Sequence, residues 1–180
     1  MDLDILRGNV AIAMQDIFLF SDTVKDNIAF SNPRASFPEV KRIAKKAQAH
    51  DFIKRLDEGY ETIIGERGVG LSGGQKQRVS LARAMMKNAS IFVLDDVTSA
   101  VDMETEKKIQ HELKNMEEKK TTFIIAHRIS SLKQADLILV LDNGEIVERG
   151  NHNELVKKDG YYSSIFYTQY GNLNLEVEGV

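Results

Sequence analysis

Three short apolar runs in this chain each end at a polar residue. The runs and the residues that follow them are 10–14 before Gln15, 91–94 before Asp95 and Asp96, and 122–126 before His127. Amphipathic stretches separate the runs, and this alternation is typical of a parallel β-sheet with flanking helices. Because ligands bind at the carboxyl ends of parallel strands, we expect the polar residues to line a single cleft.

The amphipathic stretches predict four helices. The first begins at Ser36, which has capping-box spacing to Glu39, with Pro38 in the first turn. The second covers about residues 73–87 and follows a glycine-rich loop. The residues expected on buried faces are Val40, Ile43, Ala44 and Ala47 in the first helix, Ile109, Leu113 and Met116 in the third, and Tyr162, Phe166 and Tyr170 in a last helix capped by Asn151.

A β-hairpin is predicted in the last third of the chain. Residues 137–141 and 145–148 are apolar-rich and flank the sequence Asp-Asn-Gly at 142–144. Asn-Gly suits a two-residue turn that needs positive φ angles.

The composition excludes several classes of protein. The chain has no cysteine, which rules out disulfides and cysteine-based zinc sites. Its net charge of −3 argues against nucleic acid as the main partner. The longest apolar runs fall far short of the roughly 20 residues that a membrane helix needs, so a link to a membrane must come from a partner or from further sequence. The acidic N-terminus does not have the pattern of a signal peptide.

The sequence L-S-G-G-Q at 71–75 indicates an anion site at a helix start. Ser72 and Gln75 have capping-box spacing, and the first backbone amides of a capped helix, with the helix dipole, favour an anion such as phosphate. Gly73 and Gly74 remove side chains where the anion would approach the backbone. Taken alone, Ser-Gly-Gly is more often a plain helix cap, by about three to one.

The acidic residues after the second apolar run strengthen the phosphate interpretation. An apolar strand that ends in aspartate, as at Asp95, is how nucleotide hydrolases place a carboxylate for Mg²⁺. The next residue, Asp96, could polarise an attacking water. Alone, two aspartates after a strand more often form a helix cap or a solvated turn, but the two motifs together are specific.

Four motifs in this order and spacing resemble the ATP-binding-cassette (ABC) ATPase family. They are L-S-G-G-Q at 71–75, V-L-D-D at 93–96, S-A-V-D at 99–102 and I-I-A-H-R at 124–128. Residues 15–28 resemble the glutamine loop of exporter-type members, and G-E-R-G at 65–68 is similar to the exporter loop that contacts the transmembrane domains. The resemblance extends over about residues 3–170. It implies the P-loop NTPase (RecA-like) fold of the ABC ATPase core, here incomplete, with a parallel sheet, flanking helices and an α-helical signature subdomain.

The resemblance implies a role for each polar strand end. Gln15 would sense the γ-phosphate and Mg²⁺ and couple the site to the transmembrane domains. Asp95 would hold Mg²⁺, Asp96 occupies the general-base position, and His127 would contact the γ-phosphate.

The resemblance also implies contacts across a dimer. Ser72, Gly73, Gly74 and Gln75 would bind the γ-phosphate of an ATP held by the opposite subunit, and Asp102 would signal across the interface. The expected cofactors are ATP and Mg²⁺. The expected partners are a second nucleotide-binding domain, arranged head to tail, and the transmembrane domains of an exporter on the cytoplasmic side of the membrane.

The family pattern implies four parts of the chain. Residues 1–30 would hold the glutamine-loop strand and the start of the helical subdomain, and residues 31–88 the rest of that subdomain with the signature motif. Residues 89–170 would complete the catalytic core, and residues 171–180 would form a tail.

Two departures from the family pattern shape the expected activity. No G-x-x-x-x-G-K-[ST] motif occurs in the chain, so we expect that the chain alone neither binds ATP tightly nor hydrolyses it. Asp96 stands where active members usually carry glutamate, and its shorter side chain predicts a slow site. The resemblance then suggests one half of a heterodimeric exporter, whose intact 72–75 motif completes the partner's site.

Two other functions fit parts of the pattern. The first is a DNA-maintenance ATPase, which has a similar serine-glycine helix but carries long coiled-coil insertions that have no room here. The second is a non-catalytic fragment that acts only by associating with intact cassettes.

Overall fold

The structure, a computed structural model, describes residues 2–65, 68–116 and 120–171. The chain forms two compact units, Met1–Ile125 and Ala126–Val180. Glu66 and Arg67 of the exporter-like loop, and the tail after residue 171, lie outside the described residues. In the described ranges, no helix combines the length and the apolar character needed to cross a bilayer.

The first unit contains three strands and six α-helices within the described residues. In chain order these are α1 Leu3–Asn9, β1 Val10–Ala13, α2 Val24–Ala29, α3 Phe37–Lys46, α4 His50–Ile53, a 3₁₀ turn at Gly59–Glu61, α5 Gly73–Met86, β2 Ile91–Asp95, α6 Met103–Lys114 and β3 Thr121–Ile125. The second unit contains α7 Ile129–Leu132, β4 Ile138–Asp142, β5 Glu145–Gly150, α8 His152–Val156 and α9 Tyr161–Tyr170.

The three strands of the first unit form one parallel sheet in the order β1-β2-β3. Ala13 pairs with Leu94, and Asp95 pairs with Ile125, so the strands end at the same edge. The predicted parallel α/β arrangement is therefore confirmed for this unit.

The unbroken apolar run at 91–94 predicts a strand that is buried on both faces, but the central strand β2 is buried on one face only. Phe92 and Leu94 are buried in the core that also contains the inward face of α5, whereas Ile91 and Val93 are only half-buried. Exposed neighbours on the second face are Ile12 (55% exposed), Phe123 (57%) and Ile125 (52%). The cause is that the helices of the described chain cover a single face of the sheet.

Helix α3 has the predicted buried face but not the predicted cap. Its four expected residues are all buried. The Ser36 side chain makes no capping hydrogen bond. Instead, the carbonyl oxygen of Ser36 accepts from the amides of Glu39 and Val40, both at 3.0 Å, so the backbone already satisfies the donor that the hydroxyl was expected to take.

Of the remaining helices in the first unit, α6 was predicted from its apolar periodicity and α1 was not. Ile109 of α6 is fully buried and Leu113 packs against the same core, as predicted; Met116 also packs there but lies two residues beyond the end of the helix. Helix α1 was not predicted. It buries none of its residues, so it has no apolar periodicity to detect.

The second unit contains the predicted hairpin, with Asn143 and Gly144 at φ angles of 48° and 84° in its turn. The prediction of one last helix is wrong, because two helices are present. Asn151 and Glu154 form a capping box on the short helix α8, and α9 begins after Gly160. Tyr162, Phe166 and Tyr170 pack in one cluster, as expected.

Candidate nucleotide site at the strand ends and the start of α5

The carboxyl edge of the sheet carries the predicted acidic residues. Asp95 is the last residue of β2 and is half-buried, and the next residue, Asp96, is 9% exposed. Gln15 follows the end of β1 by two residues and is exposed. The structure thus places Asp95 at the end of β2, and Gln15 and Asp96 just after the ends of β1 and β2, at one edge of the sheet.

His127 belongs to the second unit. It follows the last residue of β3 by two positions and is exposed, and its carbonyl oxygen accepts a hydrogen bond of 2.8 Å from Gln169 Nε2. Its predicted role beside the acidic residues stays a prediction.

Asp96 has a left-handed backbone, with φ of 48°. Aspartate tolerates this region better than most residues do, but it still has a conformational cost. Three hydrogen bonds hold it there: its amide donates to Ile125 O at 2.8 Å, and its carbonyl oxygen accepts from Gln77 Nε2 and Ser99 Oγ, each at 3.1 Å. Backbone strain maintained by surrounding contacts is a frequent feature of functional sites.

The start of α5 has the capping box that the sequence predicts. Ser72 N donates to Gln75 Oε1 at 2.9 Å, and Gln75 N donates to Ser72 Oγ at 3.4 Å. The amide of Lys76 donates to the Ser72 carbonyl at 2.9 Å. The amides of Gly73 and Gly74 belong to the first turn, which has no acceptor within the helix, and Ser72 and Gly73 are exposed. This helix start is therefore available to an anion.

The two glycines of this motif have different surroundings. A Cβ atom at Gly74 would lie 2.5 Å from the carbonyl oxygen of Ala100, a distance that no real contact tolerates. A Cβ atom at Gly73 would lie 3.5 Å from Ala100 Cβ, an ordinary contact. Gly74 is thus required by the packing of α5 against the loop 96–101, whereas Gly73 has room for a side chain.

We expect Gly74→Ala to destabilise the chain by about 2 kcal/mol, because its methyl group overlaps a backbone oxygen that can move only with the loop. Thermal unfolding followed by circular dichroism should show a midpoint lower by roughly 4–8 °C. Gly73→Ala is the matched control and should unfold within about 2 °C of the wild type. Equal midpoints for the two variants would show that the close contact with Ala100 is absent.

Asp102 has a local role as the N-cap of α6. Its Oδ1 accepts from the amide of Thr105 at 2.9 Å. Hydrogen bonds from the Thr105 amide and hydroxyl lower the pKa of the Asp102 carboxyl, which is exposed. The carboxylate is therefore charged at neutral pH and committed to the helix cap, and its predicted signalling role stays a prediction.

Three residues without a predicted role make the contacts that hold α5. Arg83 donates to the carbonyl oxygens of Phe18 and Asn27 and to Asn27 Oδ1, and burial lowers the pKa of its guanidinium to about 10. Gln77, 6% exposed, bonds to the loop after β2. One sequence signal could have identified two of them, since the polar residues Gln77 and Arg83 share a helix with many apolar residues; Asn27 follows Lys25 and Asp26 and has no such signal.

The donor groups suit a nucleotide better than an isolated metal ion. In the described residues, no group of three or more histidine, aspartate or glutamate side chains could hold a metal by itself. Mg²⁺ in nucleotide sites usually has one or two carboxylate ligands and completes its shell with phosphate and water. Asp95 fits such a partial ligand, and the start of α5 fits a terminal phosphate.

Comparison with known proteins agrees with these features. The profile of the family described as "ABC transporter" matches residues 1–99. The chain is 54% identical over 173 residues to the uncharacterized ABC transporter ATP-binding protein YknU of Bacillus subtilis, covering 96% of this chain and 30% of that protein. It is 47% identical over 168 residues to an ATP-dependent lipid A-core flippase of Aliivibrio fischeri, covering 93% of this chain and 29% of that protein.

A solved structure shows the same fold. A bacterial Atm1-family ABC exporter with ATP bound superposes with a TM-score of 0.87 at 45% identity, over 91% of this chain and 29% of that chain. The chain therefore belongs to the ABC transporter family, and it is a segment of an ATPase cassette with the P-loop NTPase fold. It spans about 30% of the length of the curated relatives it matches. The family predicted from the motifs is confirmed, and the DNA-maintenance alternative is not favoured.

Proposed function

We propose that this chain is the part of an exporter cassette that contributes to two nucleotide sites. The start of α5, at residues 72–75, would bind the terminal phosphate of an ATP held by a second cassette. Asp95 and Asp96 would serve the ATP held by the chain's own cassette. The observation that carries the proposal is the capped start of α5, where Gly73 is exposed and the first turn packs on the loop following Asp96.

The chain's own residues would supply positioning and charge. Asp95, with Gln15, would hold Mg²⁺, and a bound Mg²⁺ neutralises charge on the phosphates. Asp96 would accept a hydrogen bond from the attacking water and orient it, and His127 would bind the γ-phosphate. The amides of α5 would stabilise the negative charge on that phosphate from the opposite subunit.

The partners in this proposal are a second cassette, placed head to tail, and the transmembrane domains of an exporter on the cytoplasmic side of the membrane. Residues 15–30 would face the transmembrane domains. Arg83 supports this assignment, because its three hydrogen bonds tie this segment to α5 and would transmit movement between them. The short acidic side chain at Asp96 supports a heterodimer in which this chain's own site is the slower one.

The test is a mixing experiment with a cassette that contains a P-loop. Alone, the chain should release phosphate from Mg-ATP at less than about one hundredth of the rate of a complete cassette, because it lacks the lysine and the loop amides that bind the phosphates. Mixed with the P-loop-containing cassette, it should form a complex in ATP but not in ADP, as measured by analytical ultracentrifugation.

Turnover by the isolated chain at the rate of a complete cassette would contradict the expected inactivity. Absence of ATP-dependent association would contradict the role of residues 72–75. Association that is equal in ATP and ADP would instead favour the non-catalytic alternative, and the exposed second face of the sheet would then be its binding surface.

A further inference from the structure

The side chain of Gln77 makes three hydrogen bonds to the loop that follows β2. Its Nε2 donates to the carbonyl oxygen of Asp96 at 3.1 Å and to Ser99 Oγ at 2.8 Å. Its Oε1 accepts from the amide of Ala100 at 2.9 Å. Both ends of the amide group are therefore used within a five-residue loop, and the side chain is 6% exposed.

These bonds act on the backbone that carries the acidic side chain. Asp96 is left-handed, and its carbonyl oxygen is held by Gln77 and by Ser99 Oγ, which lies within reach of both. Without Gln77, this carbonyl would keep the Ser99 hydroxyl as its side-chain donor. The position of the Asp96 carboxylate depends on that backbone, because only two rotatable bonds separate the carboxylate from the main chain.

The same loop also touches the first turn of α5. The amide of Ala100 donates to Gln77 Oε1, and the carbonyl oxygen of Ala100 occupies the space that a Cβ of Gly74 would fill. Ala100 is thus fixed to the second turn of α5 by a hydrogen bond and to the first turn by close packing. Asp96 and the phosphate-binding start of α5 are therefore connected through a single short loop.

We infer that Gln77 is a positioning residue that fixes the carboxylate of Asp96 relative to the phosphate-binding start of α5. This inference rests on the proposed function. Gln77 contacts no nucleotide in this arrangement; it acts through the backbone of Asp96 and Ala100. A phosphate bound at Gly73 would order the first turn of α5, and the loop held by Gln77 connects that turn to the backbone of Asp96.

The test uses a transporter that contains this chain and compares Gln77→Met with the wild type. Methionine has a similar length and shape but makes none of the three hydrogen bonds. We expect kcat for ATP to fall by about tenfold to a hundredfold, with KM and nucleotide affinity changed less than about twofold, because misplacement of a catalytic group lowers the rate of the chemical step. Gln77→Glu keeps the acceptor for Ala100 and loses the donor, so it is a second variant should the first fail to fold.

Two comparisons distinguish positioning from a merely structural role. In an Asp96→Asn background, Gln77→Met should lower kcat no further, because the carboxylate through which it acts is already removed. Gln48→Met is the matched control: the Gln48 side chain donates to the Lys45 carbonyl at 3.2 Å, away from the loop, and its loss should leave kcat unchanged.

Hydrogen exchange supplies a readout that is independent of turnover. The amide of Ala100 should exchange faster in Gln77→Met, while the amide of Thr105, bonded to Asp102, should keep its protection. Unchanged exchange at Ala100 overturns the inference, as does faster exchange without a fall in kcat or a further loss in the Asp96→Asn background. A wild-type transporter that hydrolyses no ATP would overturn the proposed function, and the positioning role with it; active wild type with unaffected variants overturns the inference alone.

Discussion

Gly73→Asp should lower ATP turnover by about a thousandfold in a transporter that contains this chain. The start of α5 has room for a side chain at this position, because a Cβ meets only Ala100 Cβ at 3.5 Å. The introduced carboxylate would occupy the place proposed for the terminal phosphate and repel it. Loss of one donor to a developing negative charge already lowers kcat by about 10²–10³, and like-charge repulsion adds to this.

The same substitution should leave the fold intact, which makes the result specific. Aspartate in the first turn of a helix interacts favourably with the helix dipole, so the unfolding midpoint of Gly73→Asp should equal or exceed that of the wild type. Gly73→Asn is the matched control, with the same shape and no charge, and it should retain more activity. Equal loss of turnover in both variants would show that the size of the new side chain, and not its charge, prevents phosphate binding. Full activity of Gly73→Asp would contradict phosphate binding at this helix start.

Asp96→Glu should raise ATP turnover in the same transporter, by up to about a hundredfold. Glutamate adds one methylene and extends the carboxylate by about 1.5 Å towards the water that Asp96 is proposed to orient. Displacements of this size can change the rate by about 10². Steady-state phosphate release, measured per site, would give the change in kcat.

The backbone of Asp96 sets the controls for this experiment. Because φ at this position is 48°, a residue less suited to the left-handed region than aspartate should lower the unfolding midpoint slightly. The gain in rate should therefore come with a small loss in stability. Asp96→Asn keeps the shape and removes the charge, so it should reduce this site's turnover below that of the wild type. An unchanged kcat in Asp96→Glu would refute the view that the short carboxylate limits this site.

Local chemistry accounts for the features that the sequence predicted well. The box formed by Ser72 and Gln75 needs only four consecutive residues, and the turn at Asn143 and Gly144 needs only two that accept positive φ angles. The carboxyl end of β2 was also predictable, since an apolar run that stops at Asp95 leaves little freedom for where the strand ends, whereas β1 and β3 end one residue before the ends of their apolar runs. In each case the determining contacts lie close together in the sequence.

Features that depend on distant contacts were not predictable in this way. The hydroxyl of Ser36 has the right spacing for a cap, but a backbone carbonyl satisfies the amide that it would have bound. The side chain of Gln77 reaches residues 19 to 23 positions away, and Arg83 reaches Asn27 across 56 positions. No periodicity or short motif encodes such pairs. For the same reason the half-burial of Ile91 and Val93 could not be distinguished from full burial by composition.

The exposed face of the sheet has a consequence for how the purified chain behaves in solution. The exposed side chains of Ile12, Phe123 and Ile125 form an apolar surface on neighbouring strands of the sheet. Water tolerates such a surface poorly, so molecules of the purified segment should cluster as their concentration rises. Sedimentation measured across a dilution series would show this self-association directly, and a mild detergent should suppress it.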